Sequence, residues 1–434
     1  MKGENSKKLE EHWTHTDTLA FWSFALGMLL ENYIFSLAAI ATGWVEMPKF
    51  LQSLLLSWSP LWLIIGIAFA GPLSDHFGRK NTFYLTMILY AIGAIGLIFS
   101  YSYALILIFL AIMLFAAGGE MNTIMVASHE MMPNKHRSKA MFMELNFINV
   151  GGLLLAIVSL SSAYNSVAFQ RGMIAAAFLV VLAILFFTRT KLPESIRWLE
   201  SKGQHDKAME EIKKYYGEDE YNARQQIIKS SITDNHVNSV STFVKLFATI
   251  TTAFAGAAGF GLLTYVLGPN YFKSATAWII LVTMAAEFGI GFVGLGADRW
   301  SRKNLLLIGY AGTFVMTLIA YLTVGIWSKE LMFFFVLLII LNAFNGIGYL
   351  TEDTLKGEVW PTKVRGTYTA IVRFVSIGLY IVTIYLTQNL NLSQYMLFNL
   401  LVWGIGLAGA VVWFIWGNET GKKTILEVAS GESK

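Results

Sequence analysis

The sequence predicts an all-α membrane protein with twelve transmembrane helices arranged as two pseudo-symmetric six-helix bundles. Three observations carry this. First, the 434 residues are 55% hydrophobic and only 14% charged, with a mean hydropathy of +0.55. Soluble domains carry about 25% charged residues, and a single soluble core rarely exceeds about 300 residues. Second, basic residues fall almost entirely on alternate loops. Third, two loop patterns recur half a chain apart.

A bilayer-crossing helix needs about 20 apolar residues. Spans one and two are read near residues 19–44 and 54–73. Residues 81–119 are free of charge and about twice one span's length. They divide at Tyr101-Ser102 into spans three and four, the latter ending near residue 126. Spans five and six lie near residues 141–160 and 172–188. After a polar gap come spans seven to ten, near residues 246–267, 275–296, 305–325 and 331–350. Residues 374–418 again hold no charge and split at Asn389-Leu390-Asn391 into spans eleven and twelve.

An even number of crossings puts both ends on one side. Loops on that side hold 27 Lys and Arg, against Lys49, Arg171, Lys273 and Lys329 on the other; Arg373 lies inside a span. The positive-inside rule therefore predicts both termini in the cytoplasm of a plasma-membrane protein. The expected domains are a tail (1–15), a bundle (16–188), a linker (189–240), a second bundle (241–418) and a tail (419–434). Residues 1–15 lack the apolar stretch of a signal peptide, so span one is read as an uncleaved signal. Within the linker, residues 206–216 alternate acids and bases as a surface helix does.

The duplication is specific. Gly71-Pro-Leu-Ser-Asp75-His-Phe-Gly78-Arg79-Lys80 recurs as Gly294-Leu-Gly-Ala-Asp298-Arg-Trp-Ser301-Arg302-Lys303, an offset of 223 residues. Glu130-Met-Met-Pro133-Asn-Lys-His-Arg137 recurs as Glu358-Val-Trp-Pro361-Thr-Lys-Val-Arg365, at 228. Parallel repeats of this kind rock against each other around a central site. Topology alone asks for Lys or Arg but not for the repeated acids. Asp75, Arg79, Glu130, Arg137, Glu194, Arg197, Asp298, Arg302, Glu358 and Arg365 are therefore expected to gate the cytoplasmic side, with arginine forks clamping carboxylates of facing helices.

At these residues the chain resembles the major facilitator superfamily along essentially its whole length, closest to the branch of sugar porters, organic-ion transporters and synaptic-vesicle-type proteins. Gly118-Gly119-Glu120, Pro193-Glu194-Ser195-Ile196-Arg197-Trp198-Leu199, Pro361-Thr-Lys-Val-Arg365-Gly366 and Glu419-Thr-Gly421 through Glu427 are further matches. The resemblance implies the major facilitator fold and transport by alternating access, with Glu120 bracing neighbouring helices. Departures matter too. Leu110 stands at the family's helix-four arginine, Leu114 interrupts the small residues after it, Ser138 and Ser301 replace glycines, and Ile196 replaces a proline. Helix seven (Gly259 to Tyr271) lacks the paired glutamines of hexose porters, which argues against a hexose. Glu31-Asn-Tyr33-Ile34-Phe35 resembles the helix-one pattern of metabolite:proton symporters, with Ile34 at their second acid.

Ionisable residues inside spans are functional candidates by default. Glu31 is the first choice for proton coupling, ahead of Glu144 and Glu287. Arg373 is read as the sole basic residue buried in a span, about 12 Å above Arg365, at a depth that allows an ion pair with Glu287. A substrate carboxylate would compete for it. Tyr33, Asn146, Asn149, Tyr265, Asn342 and Asn345 are candidate cavity residues, and Glu352 and Asp353 are placed near the cytoplasmic mouth of span ten.

Other chemistry is excluded on composition. There is no cysteine, and none of the seven histidines lies deep in a span, so no metal site or cofactor is expected. No phosphate-cradling loop or hydrolytic triad is present, and linker lysines follow topology rather than nucleic-acid binding. The expected function is secondary active transport of a small, anionic organic solute coupled to protons, by a monomer in the lipid bilayer, and not an enzyme activity. The alternatives are an uncoupled facilitator or exchanger, including one for a sugar or an organic cation, and a transporter-like membrane receptor.

Overall fold

A computed structural model of the chain describes residues 13–133, 136–217, 240–293, 296, 300–360 and 365–419. Among the described residues, twelve helices are long and apolar enough to cross a membrane. The first six are His15–Ala41, Lys49–Phe77, Arg79–Ile98, Tyr103–Met131, Arg137–Ser161 and Val167–Thr190. The second six are Thr242–Tyr271, Thr276–Gly291, Arg302–Leu322, Leu331–Glu358, Arg365–Thr387 and Leu392–Trp416.

Several helices outrun their apolar windows, span two starting at Lys49 and span eleven at Arg365. Apolar composition marks only the hydrocarbon layer, whereas backbone hydrogen bonding continues into the polar zone. Span eleven therefore places Arg373 in its third turn. Polar caps set other boundaries. Thr14 and Asp17 form a capping box on span one, Asn391 and Gln394 one on span twelve, and Ser102 and Ser166 accept from the first turns of spans four and six. Between spans two and three the chain turns at Gly78 (φ 91°), a backbone conformation that side chains disfavour.

Packing repeats with the sequence. Span one lies on span five and seven on eleven, two on four and eight on ten, three on six and nine on twelve. The two halves meet through spans five against eight and two against eleven, a pair of interfaces that the same repeat exchanges. Small residues allow the close crossings. A Cβ on Gly118 of span four would collide with the backbone of Leu63 in span two. Large apolar side chains such as Phe187, Leu322 and Leu401 face outward, as a lipid-facing surface requires.

Two short helices, Ile196–Ser201 and His205–Tyr215, follow span six and pack through Ile196, Leu199, Ala208 and Ile212. The Thr16 hydroxyl donates to the carbonyl of Tyr215 (2.7 Å), tying this pair to span one. The rest of the linker, the chain ends, Asp298 and the side chains of Arg197, Glu358 and Arg365 lie outside the described residues.

Candidate functional site

The start of span one, the end of span twelve and the two short helices after span six lie at one end of the bundle, here the linker end. There Arg79 forks onto Glu130 through Nε (3.2 Å) and Nη2 (2.9 Å), and Nη1 meets Asp75 at 2.9 Å. The Ser195 hydroxyl donates to Glu130 (2.5 Å). Glu194 caps span three, accepting from the backbone N–H of Arg79 (3.0 Å), Lys80 (3.2 Å) and Ser195 (2.8 Å). Burial nonetheless raises its pKa, and those N–H groups with Arg79 only partly oppose the shift.

The second half repeats the device. Glu419 accepts from the backbone N–H of Arg302 (2.8 Å) and from the Ser301 hydroxyl. Lys80 Nζ donates to the Leu192 carbonyl (2.8 Å) and Lys303 Nζ to the Gly417 carbonyl (2.9 Å). Arg79 of span three thus clamps a carboxylate of the facing span four, and the described side-chain ion pairs of Asp75, Arg79 and Glu130 stay inside the first half. Spans two, three and four converge on one arginine, so its donors are used locally. Across the halves, Arg302 lies over the Phe142 ring (5.2 Å to the centroid), while Arg137 donates to the Met132 carbonyl at 3.4 Å.

At the opposite end, hydrogen bonds join the halves directly. Gln52 donates to Asn270 (2.8 Å), Ser53 to Gln388 (3.2 Å), and Ser57 shares a bond with Tyr385 (2.9 Å).

Between these layers lies a cavity of about 180 Å³. Glu31, Asn149, Tyr265, Glu287, Asn345 and Arg373 of the sequence-derived candidates line it. Glu31 is 6% exposed and has no hydrogen-bond partner among the described residues. Asn345 donates to Glu287. Asn32, next to Glu31, accepts from the Tyr265 hydroxyl (2.9 Å) and donates to the Ile148 carbonyl (2.9 Å), so it bridges the two halves at the cavity wall. Tyr265 itself sits in a π-helical turn, Leu262–Val266, a local irregularity common at functional sites.

Other expectations are corrected. Arg373 pairs with Asp353 (3.3 Å) and not with Glu287, because Asp353 lies on the facing turn of span ten while Asn345 occupies Glu287. Nor is Arg373 the sole buried base: Lys356, 7% exposed, bridges Glu352 (3.0 Å) and Asp353 (2.9 Å), and all three line the cavity near the linker end of span ten. Tyr33 lies outside the wall, donating to the Ile174 carbonyl (2.8 Å). Asn146 donates to the Phe288 carbonyl (3.1 Å), joining spans five and eight, and Asn342 donates to the Leu338 carbonyl of its own helix (2.8 Å) and to the Thr283 hydroxyl of span eight (3.5 Å). Glu144 is buried near Ser128, away from the cavity. Glu120 braces spans as expected, holding Arg189 (2.5 Å) and Thr86 (2.7 Å).

Sequence reasoning missed Lys356, Tyr349 and Tyr380. The spacing of Glu352 and Lys356, four residues apart on one helix face, was the available signal for the first. Nothing singled out two tyrosines among 18. No group of acids and histidines that could hold a metal occurs among the described residues.

Comparison with known proteins agrees with this architecture. The glucose transporter GlcP of Staphylococcus epidermidis is 26% identical over 352 residues, covering 74% of this chain and 75% of that one. The major myo-inositol transporter IolT of Bacillus subtilis is 26% identical over 384 residues, covering 81% and 76%. The inward-open structure of the xylose transporter XylE from E. coli superposes with a TM-score of 0.73 at 17% identity, covering 94% and 98%. The family described as "Sugar (and other) transporter" matches residues 7–430. With twelve spans, a duplicated half and a central cavity, the chain belongs to that family of secondary transporters, and its fold is that of the major facilitator superfamily.

Proposed function

We propose that the protein carries a small organic anion across the plasma membrane together with a proton, as a monomer with both termini in the cytoplasm. The single observation that carries the reading is Arg373, an incompletely paired guanidinium in the wall of a central cavity. A solute carboxylate is its natural bidentate partner. Glu31 supports proton coupling: it lines the same cavity, is buried, and holds no hydrogen bond that would fix its charge state. Glu287 is engaged by Asn345, and Glu144 is off the cavity. The paired acids and arginines at the linker end serve as the cytoplasmic gate, and the cavity reaches toward them as far as Lys356.

The test is transport in proteoliposomes. Arg373→Ala abolishes uptake of the carboxylate solute, and Arg373→Lys, which keeps the charge but loses the fork, weakens it. Glu31→Gln mimics the protonated acid, so it still exchanges solute but no longer accumulates it under an imposed pH gradient. Unchanged uptake by Arg373→Ala overturns the anionic solute, and full accumulation by Glu31→Gln overturns its role as proton carrier. The second reading is an uncoupled carrier of a neutral sugar, favoured by relatives named for glucose and myo-inositol. It predicts hexose counterflow indifferent to the pH gradient.

A further inference from the structure

The cavity contains more unused hydrogen-bonding capacity than a bare carboxylate can satisfy. Arg373 reaches Asp353 Oδ1 with Nη2 at 3.3 Å and Met121 Sδ with Nη1 at 3.8 Å, and its buried Nε has no partner. Asp353 Oδ1 also takes Lys356 at 2.9 Å, while Oδ2 is left without a hydrogen bond. Two cations on one oxygen are not the two-pronged pair that arginine forms when it is committed to a carboxylate. Lys356 holds Asp353 as well as Glu352, so Asp353 keeps a counter-ion when Arg373 turns to a ligand.

The remaining groups are neutral. Tyr380, 3% exposed, ends against Gly261, where a Cβ would run into its ring, and both residues line the cavity. Neither its hydroxyl nor that of Tyr349 has a hydrogen-bond partner among the described residues. Asn149 spends its amide N–H on Asn146 (3.2 Å) and leaves its oxygen free at the cavity wall. Phenol and amide groups that are unmatched when a site closes cost binding energy, and hydroxyls match them as donors and acceptors. Phe35 and Phe260 add flat apolar faces suited to the C–H faces of a carbohydrate chain.

Size and charge narrow the class further. A cavity of about 180 Å³ lies below the 300–1,000 Å³ typical of drug-sized pockets. One incompletely paired cation faces Glu31, Glu287, Glu352 and Asp353 in the same wall, so a second carboxylate would meet like charge.

We propose that the solute is a small polyhydroxylated monocarboxylate, a sugar acid of the aldonate kind, with its carboxylate on Arg373 and its hydroxyls on Tyr349, Tyr380 and Asn149. This rests on the anionic-solute reading and adds the hydroxyl requirement.

The experiment uses the full chain in detergent and in liposomes, with three probe pairs: gluconate and xylonate, glucose and xylose, acetate and butanoate. Thermal stabilisation gives affinity, since binding to the folded state alone raises stability, and counterflow gives transport. Aldonates are expected to bind at least about tenfold more tightly than either other class, the size of one charge-assisted hydrogen bond. Arg373→Ala brings each aldonate down to the level of its parent sugar. Tyr380→Phe weakens aldonates and sugars alike and leaves acetate and butanoate unchanged. If Arg373→Ala does not assemble, Arg373→Lys serves, with a partial loss of the aldonate preference expected. Equal binding of bare carboxylates and aldonates overturns the sugar-acid inference while the anionic reading stands. Sugars binding as well as aldonates, or no binding by any of the six, overturns both.

Discussion

Glu120 and Arg189 show how a charged pair can be structural in a protein in which six other buried or partly buried charges line the cavity. Their side chains are 0% and 2% exposed, 2.5 Å apart, and Arg189 also lies over the Phe83 ring at 4.0 Å. Breaking a buried pair by removing one partner costs about 3–5 kcal/mol, whereas replacing both by apolar residues is often neutral. Arg189→Met is thus expected to lower thermal stability strongly, and adding Glu120→Leu to restore most of it. A double variant no more stable than Arg189→Met would mean that packing, not the lost counter-ion, causes the damage. Glu120 was legible as a brace from the family pattern around Gly118-Gly119. Its partner was not, because Arg189 is 69 residues away and looks in sequence like one more topology-setting base. The same blindness affected Arg373, whose depth suggested Glu287 while its direction gave it to Asp353.

Among the elements, the turn between spans two and three is the most constrained. Gly78 has φ 91°, and a Cβ there would meet Glu194 Oε2 at 2.5 Å. Gly78→Ala combines backbone strain of about 1–3 kcal/mol with displacement of the cap on span three. A clear drop in melting temperature and slower transport are expected, and Ser195→Ala, which spares the turn, should do less on both measures. Glu194 also gives a pH dependence. Its carboxyl has a raised pKa in the folded protein because burial outweighs the N–H groups that cap it. The stability it contributes is therefore full below the unfolded value of about 4.3 and is lost as pH rises through the folded value. Subtracting the Glu194→Gln stability curve from the parent's should leave a difference that declines with rising pH; a difference that grows with pH would reverse the sign of the shift. The repeat of this cap at Glu419 was visible only as a similar closing motif, since its meaning lies in the return of the chain onto the start of span nine.

For the whole molecule, the bonds of Gln52 with Asn270, Ser53 with Gln388 and Ser57 with Tyr385 join the halves at the end opposite the linker. Alternating access requires them to part. A Gln52→Cys/Asn270→Cys pair bridged by a short bifunctional thiol reagent should stop transport, while either single cysteine treated alike should not. The chain has no native cysteine, so the labelling has no background. Transport that continues with the bridge in place would show that this end does not open.

That the chain spans a bilayer twelve times and that its halves are duplicated was legible in the sequence, and the family resemblance of its loop motifs added transport. The spans and the duplication follow from one-dimensional signals: apolar run length, basic residues on alternate loops, and Asp–Arg and Glu–Arg spacings repeated 223 and 228 residues apart. Which polar residues share the cavity emerges only from packing in three dimensions. Tyr33 and Tyr265 are chemically alike, as are Asn342 and Asn345, yet Tyr265 and Asn345 line the cavity while Tyr33 turns to the Ile174 carbonyl and Asn342 to Leu338 and Thr283. Helix rotation makes that choice, and rotation is set by packing between spans distant in sequence. A change of 100° per residue turns a neighbour from the cavity to a helix interface, and no local pattern in a uniformly apolar span records which way it faces.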